Sequence, residues 1–241
     1  MLKKTIRIID KVVDVVIVCF FLPILCFGMY GIWDSQHINA QAAKQYETYR
    51  PEEDTSTSFI QLQELNSEVF GWLQVQGTHI DLPLVQGENN SKYVNTDVEG
   101  NFSLAGSLFL DCRNKKDLTD FNSIIYGHHM EKGKMFSDLD RFADADYMEE
   151  HTVGKMFFLD QWHDIEWFAF AQADAYDDIL YNVLLTEKDK DIYLQRLKEK
   201  AIQYRAVTLK PDDRFVTLST CVDTATNGRY LLVGRWKGGK G

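Results

Sequence analysis

From Val15 to Trp33 the chain runs 19 residues without a charged side chain, and that run limits its fold more than any other feature. As a helix, an uncharged stretch of this length matches the hydrocarbon thickness of a bilayer. Pro23, Gly28 and Gly31 fall inside it, and membrane helices tolerate both residue types. Lys3, Lys4, Arg7 and Lys11 precede the run against Asp10 and Asp14. That positive flank is expected in the cytoplasm, with the bulk of the chain exported. Two other readings compete. Ala40-Gln-Ala42 has the small residues of a signal-peptide cleavage site, but the run exceeds the roughly 7–15 residues of a signal core. A buried core helix is the second, and no Asp/Lys face interrupts the run to support it. The expectation is an uncleaved anchor: 1–33 as cytoplasmic tail and transmembrane segment, 34–58 as an extracellular helix and linker, 59–241 as the folded domain.

Of 26 basic and 36 acidic residues, four and two precede the run, which leaves 22 against 34, or −12, for the exported part. So acidic a surface argues against nucleic acid as a partner. Of the four cysteines, Cys19 and Cys26 lie in the apolar run, leaving Cys112 and Cys221 outside. That pair could form a disulfide in an oxidising compartment, but one pair is a poor framework for a domain this size. Cys112 is read as a structural thiol.

The exported part reads as mainly β. Gly71 to Gln86 holds two short strands joined at Gln76-Gly-Thr78, with Pro83 expected to put the second at an edge or end. Further strands are expected at 106–111, 122–127, 156–159 and 165–173. Helices are expected over 38–50, which Pro51 stops, and around Phe59, Leu62 and Leu65. Another opens at Thr186 as N-cap and carries Leu194, Leu197, Ala201 and Tyr204 along one face.

Arg214-Phe-Val-Thr-Leu-Ser-Thr-Cys221 carries the chemistry. Its branched, aromatic and hydroxyl residues, without Gly or Pro, read as a strand. Period two sets Val216, Leu218 and Thr220 on one face and Phe215, Thr217, Ser219 and Cys221 on the other. The first face is expected to meet a core, placing the Cys221 thiol on the second, at the strand end. A second strand, Arg229 to Trp236, can return antiparallel and bring Arg229 near the thiol. A free cysteine is more often an inert buried thiol, so a nucleophile needs a partner. His128, after Asn122-Ser-Ile-Ile-Tyr-Gly127, is the candidate.

Taken together, Thr217-Leu-Ser-Thr-Cys221, Arg229 eight positions later and Tyr126-Gly-His128 resemble the Cys–His–Arg signature of sortases. The segments upstream of His128 and the helix after Thr186 resemble the class B form. The resemblance covers Glu64 to Trp236. It implies an eight-stranded β-barrel with flanking helices, class B-type N-terminal helices and a helix between strands 6 and 7. It makes 59–241 a catalytic domain performing peptide-to-amine acyl transfer. Cys221 would be the nucleophile, His128 the proton carrier and Arg229 the donor to the oxyanion or the substrate. Ser219 and Thr220 would line the substrate groove. The implied partners are exported proteins bearing a sorting signal, and an amine acceptor on a peptidoglycan cross-bridge or a pilin lysine. The implied location is a single-pass cell-membrane protein with an extracellular catalytic domain. In the sortase pattern the histidine directly follows glycine, so the role falls on His128 rather than His129.

Other constellations weigh less. His128, His129, His151 and His163 match no zinc spacing, and no metal is expected. Asp223 reads as a solvated turn carboxylate, and Ser219 lacks a Gly-x-Ser-x-Gly elbow. No glycine-rich phosphate loop is present, so no cofactor is expected. The alternative function is a membrane-tethered extracellular binding module whose thiol is inert.

Overall fold

The computed structural model describes residues 2–42, 46–52, 57–130, 133–210, 212–222 and 226–237. Two units separate at Gln41 and Ala42. The first holds all but the last residue of helix α1, Leu2–Ala42. Within it Ile9–Trp33 has a mean hydropathy of 2.6 and is wholly unburied. The helix does not break after Trp33: α1 runs to Ala42 and takes in the first part of the helix expected over 38–50, Glu47–Tyr49 is a single 3₁₀ turn, and 43–45 lie outside the described residues. The acidic linker residues 53–56 and the turn carboxylate Asp223 lie outside the described residues.

The second unit is built on strands. Helix α2, Thr57–Leu65, buries Phe59 and Leu62 and leaves Leu65 exposed, an apolar stripe two turns long. Then follow β1 Val69–Val75, β2 Asp81–Val85, β3 Leu108–Leu110 and β4 Asn122–Tyr126. A two-residue hairpin, β5 His129–Met130 with β6 Lys134–Met135, leads through a 3₁₀ segment and α3 Ala145–Glu150. The chain continues through β7 Val153–Phe158, β8 Gln161–Asp174, α4 Lys190–Lys200, β9 Ala201–Tyr204, β10 Asp213–Cys221 and β11 Gly228–Lys237.

Strand order β11-β10-β4-β3-β2-β1-β7-β8 closes because β8 also pairs with β11. The result is an eight-stranded barrel, as the resemblance implies, with β9 added on the outside of β8. Counted along the chain, β8 is the sixth barrel strand and β10 the seventh, and α4 lies between them. Trp72, Trp167, Phe158, Phe170 and Leu218 are fully or almost fully buried, and each such side chain contributes roughly 1.5–3 kcal/mol.

Three expectations need correcting. Pro83 is not on an edge strand: β2 lies between β1 and β3. It is tolerated because β3 pairs only with Leu84 and Val85, so no β3 carbonyl awaits the missing N–H. Ala201 and Tyr204 are not on α4 but on β9, where Ala171 pairs with Ala201 and Ala169 with Tyr204. The ladder takes the chain at Ala201, which is extended at φ −68° and ψ 132°. Finally, both faces of β10 are buried. Val216 and Leu218 enter the barrel core, while Phe215 joins a second cluster with Tyr193 and Leu197 of α4. Alternation in β10 therefore separates two apolar interiors rather than core from solvent.

Candidate active site

That second cluster decides where the outer face of β10 is open. Tyr193 stacks on Phe215 at 5.3 Å, its hydroxyl lies 3.3 Å from Thr217 Oγ1, and Thr217 donates to Asn122 Oδ1 at 2.8 Å. Helix α4 thus seals the lower half of the face. Toward the strand end the cover thins, and Cys221 is half-buried.

Three strands bring the candidate residues to this end. The antiparallel β10–β11 register places Cys221 directly opposite Arg229. Directly opposed residues share a face, with Cβ atoms about 4.5–5.5 Å apart. On the other side β4 runs parallel to β10, with Ser219 beside Tyr126, and Gly127 N donates to Ser219 O at 3.2 Å. His128 lies two residues beyond Tyr126 and Cys221 two beyond Ser219, so both leave the sheet at the same rim. A β-carbon at Gly127 would meet Leu108 at 2.5 Å and Phe136 at 2.7 Å. Only glycine lets the end of β4 press so closely there.

His128 is held from both ends. Its carbonyl accepts from Phe136 N at 3.0 Å, and its Nε2 lies 2.7 Å from Val94 O. A carbonyl only accepts, so Nε2 carries the proton and Nδ1 is the nitrogen left to exchange one. His129 instead faces Asp140, Nε2 to Oδ2 at 2.8 Å. His151 stacks on Tyr147 and His163 on Phe158. The four rings have four separate partners. Among the described residues no group of three or more His, Cys, Asp or Glu could hold a metal ion.

Ser219 and Thr220 part company. Ser219 shares the Cys221 face and its hydroxyl pairs with Tyr181 OH at 2.7 Å. Thr220 points into the barrel, where its buried Oγ1 has no partner. Cys112 and Cys221 are both free thiols.

Tyr181 is the residue that sequence reasoning missed. It sits between β8 and α4, with its ring parallel to Tyr126 at 6.4 Å. Burial pushes its hydroxyl up to about 12, and the Cys221 side adds to this while Ser219 and Arg229 oppose it. It therefore stays a neutral hydroxyl in the wall beside Ser219 and Cys221. No periodic pattern in 175–185 marks it out.

Behind this wall Asp111 accepts from Arg113 Nε at 2.9 Å and Nη2 at 2.7 Å, and from Tyr126 OH at 3.0 Å. Burial alone would raise its carboxyl. The Arg113 bonds and the Tyr126 bond outweigh that and hold it below the usual carboxylate range. A folded-state value below the unfolded one, about 4, contributes stability above that pH and loses it as pH falls through the folded value. Asp111→Asn is expected to cost about 2 kcal/mol at pH 7, since Arg113 is half-exposed and screened. The gap between the two proteins should close as pH drops below about 4, read from denaturant melts across pH. A gap independent of pH would remove the carboxylate charge from the account.

A sortase domain model matches residues 73–236. The chain belongs to the sortase family. It is 33% identical over 177 residues to sortase B of Listeria monocytogenes, covering 72% of each chain. A crystal structure of a Streptococcus pyogenes class B sortase involved in pilus biogenesis is 41% identical, with a TM-score of 0.69 over 75% of this chain and 98% of that one. Sortase B from the type II pilus of Streptococcus pneumoniae is 39% identical, TM-score 0.63, over 73% and 97%. This sortase is of the class B type and a cysteine transpeptidase, a family that acts on sorting-signal substrates. The binding module with an inert thiol is set aside. Its N-terminal apolar helix is compatible with membrane anchoring.

Proposed function

We propose that this sortase joins exported proteins to an amine through a thioacyl-enzyme on Cys221. The Cys221 thiolate attacks the Thr carbonyl of a C-terminal sorting signal, and the C–N bond breaks as His128 Nδ1–H protonates the departing amine. An incoming amine then attacks the thioester, gives its proton to Nδ1 and releases the thiolate. Arg229 supplies fixed N–H donors to the oxyanion. Ser219 and Tyr181 line the substrate groove. The observation that carries this is the pair of ladders, β4–β10 and β10–β11, which gather His128, Cys221 and Arg229 on one rim.

For the acceptor we favour a pilin lysine over a peptidoglycan cross-bridge. Identities of 41% and 39% to pilus sortases, against 33% to the Listeria sortase B, support that choice. The test is incubation of the full chain in detergent with sorting-type peptides and both classes of amine, with products read by mass. Isopeptide formation on lysine is expected; joining to the cross-bridge amine alone would overturn it.

We further place 1–33 as tail and anchor with the N-terminus cytoplasmic, 34–58 as a spacer, and 59–241 as the extracellular catalytic domain. A chain beginning at Gln36 is then expected to be soluble, folded and active on peptides. Its aggregation would make the apolar helix part of the fold.

A further inference from the structure

The carbonyl that holds His128 is itself placed by an unusual approach of two chain segments. Residues 92–94 form one 3₁₀ turn, Lys92–Val94, fixed by Tyr93, whose ring is buried and whose hydroxyl is bonded to Asn66 and Glu68. Residues 103–107 return across it. Ser107 N donates to Tyr93 O at 3.0 Å, and Ser103 N donates to Asn95 O at 3.0 Å. The carbonyls on either side of Val94 are thus taken by backbone, and the Val94 carbonyl accepts from the His128 imidazole.

Gly106 makes this approach possible. It sits at φ +60°, and a β-carbon there would clash with the Val94 carbonyl oxygen and, at 2.5 Å, with the Tyr93 carbonyl oxygen. Both obstructing atoms are backbone, so no side chain can swing aside. Gly100, in the same loop at φ +89°, has nothing within 4 Å of its β-carbon position. The two glycines share the left-handed backbone, but only Gly106 has a steric reason to lack a side chain.

We propose that Gly106 is a positioning residue for His128, acting by letting the Val94 carbonyl stand where it receives Nε2–H. This rests on the reading of His128 as the proton carrier. With Nε2–H engaged by Val94, the neutral ring has its lone pair on Nδ1, the side from which it must serve Cys221 and the amines. Displacing the carbonyl frees the ring to rotate and to exchange tautomers. The wrong nitrogen then carries the proton, although Cys221, His128 and Arg229 are all still present.

The experiment compares Gly106→Ala with Gly100→Ala in the full chain in detergent. Both substitutions strain a left-handed residue, so both should lower thermal stability. Gly106→Ala is expected to lower kcat on the order of 10²-fold with little change in KM, the loss typical of a catalytic group misplaced by about 1 Å. Gly100→Ala should stay within about threefold of the unsubstituted chain. A spectroscopic arm uses ¹⁵N-labelled histidine, with the His128 signals identified by their loss in His128→Gln. The unsubstituted chain should show the Nε2–H tautomer, and Gly106→Ala a mixture with Nδ1–H. Unchanged kcat in Gly106→Ala, or an equal loss in Gly100→Ala, overturns the proposal. If Gly106→Ala does not fold, the tautomer of the unsubstituted chain decides: Nε2–H supports the proposal and Nδ1–H overturns it. If the unsubstituted chain transfers no peptide at all, the proposed function fails, while the tautomer measurement still reports on Gly106.

Discussion

Cys221→Ala is expected to abolish thioacyl-enzyme formation. His128→Ala should lower it by about 10²–10⁴, the usual worth of a positioned acid–base group. His129→Ala should keep most of it. The adjacent histidines differ because the chain turns between them. His128 is still at the rim beyond β4 with its ring bonded to Val94, whereas His129 enters the small β5–β6 hairpin and pairs with Asp140. Mass spectrometry of the acid-quenched enzyme after mixing with a sorting-type peptide measures the intermediate directly. Should His129→Ala prove the more damaging histidine change, the two roles are exchanged.

The second large effect is expected at Arg229. Opposite Cys221, its guanidinium can present two oriented N–H donors to an oxyanion, and a lysine offers only a flexible point charge. Arg229→Ala should lose on the order of 10²–10³ in turnover, and Arg229→Lys a large part of that, with the fold retained. Arg235 is the control. It lies on the same face of β11, but six residues or roughly 20 Å away, and it pairs with Glu166 and the buried Asp213. Arg235→Ala should therefore cost stability and leave turnover per folded molecule within a few-fold. Steady-state transpeptidation beside circular dichroism separates these outcomes. Near-normal turnover in Arg229→Ala would remove it from the mechanism.

What could be read without coordinates was local. The β10–β11 hairpin was legible because alternation in 214–221 and 229–236 is strong and the connection is short. The β4–β10 pairing was not, since nothing in Asn122–Tyr126 specifies a parallel partner about ninety residues later. His128 could be offered as a partner from its place after a strand-like run, but only the family pattern chose it over His129. The second core was hidden for a related reason. Phe215 and Thr217 look like the outer face of a strand until Tyr193 of α4 lands on them. Ala201 and Tyr204 continue the helical spacing of Leu194 and Leu197, yet pairing with β8 prevails over it. Tyr181 and Gly106 were not legible, because Tyr181 acts through Ser219, far along the chain, and Gly106 through the carbonyls of Tyr93 and Val94 on another segment.

Barrel closure also has a consequence in time. The seam is made by β11 against β8, and β11 is the last strand among the described residues. Cys221 and Arg229, the proposed nucleophile and oxyanion donor, lie on the β10–β11 hairpin, while His128 and the Val94 carbonyl belong to segments finished about a hundred residues earlier. Chains emerge N-terminus first, and domains fold as units. A nascent chain would hold His128, the proposed proton carrier, long before it had the Cys221 thiol. On that reading activity arises in the same event that seals the barrel, so a chain caught before β11 pairs with β8 carries no half-working catalyst.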